Sequence, residues 1–197
     1  MHDKYTTLLS RVPAGTAAAP AGSCVIAFNE VTNRVQEFGA GRAIPTAGPQ
    51  QHVYMIPTEA FEVLFAVQDA ILCTKPDGSE FRPGMCLQLK LSYISASGLL
   101  KLLLTSKMRE GRSPDCITLE NLHTLLSREL AAICARCAKE LSHGQTLSYT
   151  HWWNDISHGK AYRELLYTPL MQLFMAHGLR LDRASFAVAG LAPAPLG

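Results

Sequence analysis

Cys134 and Cys137 bracket Ala135 and Arg136 as C-x-x-C, a spacing that can form a redox pair or supply half of a zinc site. On a helix the two sulfurs lie roughly on one side. A redox motif normally opens a helix, where the helix dipole lowers the thiol pKa. This pair instead falls inside a long helical pattern, on or beside its apolar stripe. Zinc needs further ligands, and neither His123 nor His143 stands at a standard spacing from the pair. Free cysteine packs as a small buried hydrophobe, so core packing outweighs metal or redox use here. His151, His158 and His177 stand near Trp152-Trp153, but they form no His-x-x-x-His and no H-E-x-x-H, and no nucleophile-elbow pattern occurs. Gly39-Ala40-Gly41-Arg42 falls short of the glycine fingerprint of a nucleotide loop. These residues predict no catalytic group, no metal site and no cofactor.

The aromatic residues point elsewhere. Trp152-Trp153 reads as a core anchor beside one amphipathic surface ring, with an interface role as the sharper alternative. Residues 150–174 carry more large apolar side chains than one helix face hides against a single sheet, and exposed patches of that kind mark interfaces. Ser185–Val188 holds no charge and no proline, which leaves it open to pairing with another chain at a sheet edge. The candidate interface residues are therefore Trp152, Trp153, Tyr162, Phe186 and Val188.

The elements that must position these residues are legible in the spacing of apolar side chains. Met85, Leu87, Leu89, Leu91 and Tyr93 alternate with Cys86, Gln88, Lys90 and Ser92, the period-two pattern of a strand with one buried face. Ile71–Thr74 precedes it, joined through Lys75-Pro76-Asp77-Gly78, whose proline, aspartate and glycine suit a tight turn. The stretch 71–94 is expected to form a hairpin, with a second bend at Phe81–Gly84. Strands are also expected at 24–28, 34–38, 52–56 and 60–68. The period then changes. Leu119, Leu122, Leu126, Leu130, Ile133, Cys137 and Leu141 step by three and four residues, predicting a long helix capped by Thr118 and stopped at His143-Gly144. A leucine-rich helical turn is expected at 98–106, a loop at 108–114, a short segment around the tryptophans, and a helix over 160–177 that Pro169 kinks or splits. The last strand, 179–188, changes parity near Asp182-Arg183, which predicts a bulge.

Composition bounds the function. The chain has 197 residues, 48% hydrophobic and 17% charged, which suits one folded domain of residues 24–191 between a flexible leader (1–23) and tail (192–197). Within the leader, Tyr5, Leu8, Leu9 and Val12 stand at the spacing of a short amphipathic helix, though a frayed terminus outweighs it. A formal net charge of +2, without basic runs, gives no reason to expect nucleic acid. No apolar run approaches the roughly 20 residues a membrane helix needs, and no secretory signal pattern opens the chain. Six cysteines in that context indicate a reducing, cytoplasmic compartment.

The order so far is sheet, hairpin, leucine-rich turn, long helix, second helix, Gly178, last strand. It resembles the SPFH or band 7 domain of stomatins, prohibitins and flotillins, from about Val53 to Leu191. Cys73-Thr74-Lys75-Pro76-Asp77-Gly78 is similar to that family's strand and T-x-D-G turn. Leu87–Tyr93 with Ile94, Leu99 and Leu100 is similar to its strand-to-helix passage, and Leu173–Leu181 to its helix, Gly, Leu, strand ending. The resemblance implies an α+β fold: a largely antiparallel sheet from the first half, packed by helices from the second and closed by a C-terminal strand. It implies a non-catalytic scaffold or adaptor that self-associates or binds a partner protein, meeting the inner face of a membrane only peripherally. The alternative is a small metal- or thiol-dependent cytosolic enzyme using Cys134, Cys137 and nearby histidines.

Overall fold

The computed structural model describes residues 7–12, 16–29, 31–44, 46, 48, 50–95, 97–102 and 116–189. In chain order the strands before the first helix are β1 (Thr7–Arg11), β2 (Ser23–Asn29), β3 (Arg34–Phe38), β4 (Gln51–Pro57), β5 (Phe61–Val67), β6 (Cys73–Thr74), β7 (Glu80–Phe81) and β8 (Gly84–Tyr93). Helix α1 follows, described over 97–102. Then come β9 (Cys116–Thr118), α2 (Leu119–Leu141), β10 (Leu147–Ser148), α3 (Tyr149–Ser157), α4 (Ala161–Ala176) and β11 (Leu179–Ala189). The fold is α+β, and the strands divide into three sheets.

The chain forms two compact units, each assembled from three segments. One comprises Met1–Phe61, Leu91–Leu125 and Phe174–Arg180; the other comprises Glu62–Lys90, Leu126–Leu173 and Leu181–Gly197. The first holds a five-stranded sheet of order β3-β2-β4-β1-β9. Ser23–Phe28 is buried at six consecutive positions, so β2, an interior strand, is covered on both faces. It pairs antiparallel with β3 through a turn in which Asn29 Oδ1 accepts the N–H groups of Val31 and Thr32 (3.1 and 2.9 Å) and Asn33 takes φ 52°.

The leader expectation is corrected at its apolar residues. Thr7–Arg11 is a strand lying between β4 and β9, and Leu8 and Leu9 are 4% and 0% exposed. Helical spacing misleads here because a strand buries neighbouring leucines on opposite faces when both faces are covered. The start of the leader, the 108–114 loop and the 192–197 tail lie outside the described residues.

The expected 71–94 hairpin is half right. β6 pairs antiparallel with β7, Cys73 opposite Phe81, across the turn. Gly78 adopts φ 83°, and Asp77 Oδ1 accepts the Ser79 N–H at 2.9 Å. The long alternating strand does not continue that ladder. Pro83, which cannot donate a ladder hydrogen bond, separates β7 from β8, and β8 runs instead between β11 and β5 in a three-stranded sheet. Its alternation holds as far as Leu91: Met85, Leu87, Leu89 and Leu91 are buried, while Gln88 and Lys90 are exposed; beyond it Ser92 is buried and Tyr93 only half-buried, the reverse of the expected pattern. β11 lies at one edge of that sheet, as its place in the sequence suggested. The remaining sheet has the order β10-β6-β7, with β10 parallel to β6.

Helix α2 begins as expected, with a reciprocal cap. The Thr118 N–H donates to Asn121 Oδ1 (3.0 Å), and the Asn121 N–H donates back to Thr118 Oγ1 (3.3 Å). It stops where His143 and Gly144 both turn left-handed (φ 51° and 82°).

Candidate protein-interaction surface

β10 pairs with β6 and delivers the chain directly into α3. Tyr149, Trp152 and Ile156, spaced by three and four residues, are the buried face of that helix. Trp152 is 0% exposed, its ring 6.3 Å from Tyr149 and 6.5 Å from Tyr162, the latter edge-on. Tyr149 extends the cluster to Phe81 (4.5 Å, edge-on), and the Lys75 ammonium sits 4.8 Å over the Phe81 ring. Trp153 is half-buried and touches Tyr149 edge-on at 5.8 Å.

This placement sorts the five candidate interface residues. Trp152 and Tyr162 are core and not interface, correcting the expectation, because with no accessible surface they cannot meet a partner. Trp153, Phe186 and Val188 keep partial exposure, the first on α3 and the others on β11. The apolar excess over 150–174 is largely absorbed within the unit, where Trp152, Tyr162, Leu166 and Leu170 are each fully buried.

Tyr162 explains why the C-x-x-C pair stands where it does. Its backbone N–H donates to Asp155 Oδ2 (2.7 Å) and its hydroxyl to the Cys134 carbonyl (2.9 Å), tying α4 to α3 and to α2. Burial raises the Tyr162 hydroxyl pKa above its ordinary range, helped by the Cys134 thiol beside it. Burial likewise pushes the Cys134 thiol up to about 12 and raises that of Cys137. A thiol held protonated in this way is neither a nucleophile nor a ready metal ligand at neutral pH.

Cys137 has a structural partner instead. Pro169 lies inside α4 and lacks the N–H that would bond the carbonyl four residues earlier, at Leu165. The Cys137 thiol donates to that carbonyl at 3.5 Å. α4 runs as one helix from Ala161 to Ala176, so the expectation that Pro169 splits it is corrected.

The histidines do not converge with the thiols. His151 and His158 are exposed, and His177 lies in the other compact unit. Among the described residues no group of three or more His, Cys, Asp or Glu is placed to hold a metal ion.

No family model matches the chain, and no curated protein matches it in sequence.

Two surface features escaped the sequence reading. Leu64, on the outer side of β5, is 59% exposed. A groove between the end of α2 and the segment before β6 carries Arg82 and Lys139, residues too distant in sequence for any spacing rule to join.

Proposed function

We propose that this chain is a non-catalytic scaffold or adaptor domain of the SPFH or band 7 type, which self-associates or binds a partner protein through the edge strand β11. The observation that carries the reading is the strand itself. β11 spans eleven residues, occupies a sheet edge, and presents Ala184–Val188 without a charge or a proline. Edges this long are normally blunted by charge, proline or a covering element, because their unpaired backbone groups template pairing with another chain. The chain order on which the resemblance rests, from β6 and its Pro-Asp-Gly turn through β8 and the helices to Gly178 and β11, is the second ground for the reading, with β7, β9, β10 and α3 intervening. Buried, protonated thiols at Cys134 and Cys137 favour packing over thiol chemistry.

In this reading the domain works in the cytoplasm and reaches a membrane only through its partner. Among the described residues no helix is long and apolar enough to cross a bilayer. Light scattering behind size exclusion, across a dilution series, tests self-association. A mass that rises with concentration is expected, and Ala187→Lys, a charge on an exposed position of β11, should weaken it about tenfold without changing the fold. A monomeric mass at every concentration refutes self-association.

A further inference from the structure

The unit containing α3 and α4 also carries a groove of about 290 Å³. Ile71, Leu72, Ala138 and Leu147 give it apolar walls, and Arg82 and Lys139 stand on its lining. The end of α2 spends its carbonyl acceptors internally, while two cationic side chains stand on the groove lining. The acceptors at the end of α2 are already used: the carbonyls of Ala138, Lys139, Glu140 and Ser142 take the N–H groups of Ser142, Gly144, His143 and Gln145 (2.9 to 3.1 Å). The Ser142 hydroxyl lies 3.0 Å from the Lys139 carbonyl and 2.6 Å from that of Gln145. The donors are not used up. Arg82 Nη1 donates to the Asp69 carbonyl at 2.9 Å, which fixes the guanidinium. Among the described residues, neither Arg82 nor Lys139 has a carboxylate partner.

The helix end opposes an anion with about half a negative charge, but two full cations outweigh it. We propose that this groove binds a short aliphatic carboxylate, with its chain against Leu72, Ala138 and Leu147 and its carboxylate held by Arg82 and Lys139. The apolar walls call for a hydrocarbon, the unspent donors for an acceptor, and the two cations on the lining for a negative one. The volume sits at the small end of ligand pockets, which run from roughly 300 to 1,000 Å³, so the chain is short. This site is independent of β11 and of any self-association.

The test is titration of the full chain with octanoate, octanol and octylamine in parallel, followed by calorimetry and amide chemical shifts. Octanoate is expected to saturate with a Kd below about 1 mM and to move the Gly144–Leu147 amides. Octanol should bind at least about tenfold more weakly, and octylamine should not saturate. Arg82→Met and Lys139→Met are exposed substitutions that leave the fold intact, and each should weaken octanoate about tenfold. Failure of octanoate to saturate, octanol binding equal to octanoate, or unchanged affinity in the double variant would each overturn the proposal.

Discussion

Gly98 packs its Cα side directly on the backbone of Gly178. A Cβ built at Gly98 would overlap the Gly178 nitrogen and Cα, and one at Gly178 would overlap the Ser95 carbonyl. Gly178 adopts φ 74°, and its carbonyl accepts the N–H groups of Ile94 and Ser95 at 3.0 and 3.2 Å. The passage from β8 into α1 is thus fastened to the turn between α4 and β11 by backbone alone.

Gly98→Ala should therefore cost about 1–3 kcal/mol through overlap with a neighbour that cannot move aside. Gly178→Ala should cost more, because left-handed strain of about 1–2 kcal/mol is added to its own overlap. Gly144 provides the control. It shares a positive φ of 82° but faces open space, so Gly144→Ala carries the strain alone. Urea midpoints should fall most for Gly178→Ala, less for Gly98→Ala and least for Gly144→Ala, and a Gly98→Ala variant as stable as the parent would contradict the packing.

The two tryptophans should separate sharply. Trp152→Ala leaves a cavity in a fully buried site and should cost about 3–5 kcal/mol. Trp153→Ala removes one half-exposed ring contact and should cost about 1 kcal/mol. Trp152→Phe should be much milder than Trp152→Ala, since the indole N–H has no hydrogen-bond partner among the described residues and its removal leaves nothing unpaired. Equal losses at Trp152 and Trp153 in chemical denaturation would show that the core assignment is wrong.

Cys137 and Pro169 should be energetically coupled. Cys137→Ala strips the donor from the Leu165 carbonyl and should destabilise by about 1–3 kcal/mol. Pro169→Ala restores a backbone N–H four residues on, so the same cysteine change should cost roughly 1 kcal/mol less in that background. A double-mutant cycle with no coupling energy would refute the compensation.

Burial of the thiols sets a pH dependence. Cys73 and Cys134 are both pushed up to about 12 from an ordinary value of 9.0. Below 9 both folded and unfolded states hold the protons, and the full stability is present. As pH rises from about 9 towards about 12 the unfolded chain loses them first, so stability should fall across that window. Alkylation at pH 8 followed by mass spectrometry offers a second readout. Half-buried Cys86 and Cys116 should react before buried Cys24, Cys73, Cys134 and Cys137. Early labelling of Cys134 or Cys137 would restore the case for a reactive pair.

Periodicity revealed most of the elements because it depends only on which side chains avoid water. The alternation of Met85 to Leu91 and the three-and-four steps from Leu119 to Cys137 both survive in the burial pattern. Partner choice did not follow from it. Nothing in the alternation of β8 says whether it pairs with β6 or with β5 and β11; the break at Pro83 decided that. Leu8 and Leu9 misled for a related reason, since a doubly covered strand has no periodicity to read. At the candidate interface, residue type marked Trp152 and Trp153 alike, and only the helical phase of α3 sends one inward and leaves the other half out. Arg82 and Lys139 come to line one groove through tertiary folding, which no local pattern encodes.

The interleaving of segments in the two compact units has a consequence for biosynthesis. The first unit takes Phe174–Arg180 and the second takes residues from Leu181 onward, so neither can close until translation has passed these segments. Folding during translation cannot proceed unit by unit from the N-terminus, as it does where each domain is a continuous stretch. A stalled or prematurely terminated product lacking 174 onward would leave both units open at once, with β8 missing its partner β11 and Gly98 missing Gly178. Such fragments would expose an unpaired strand edge and uncovered apolar surface, the features that proteases and chaperones act on.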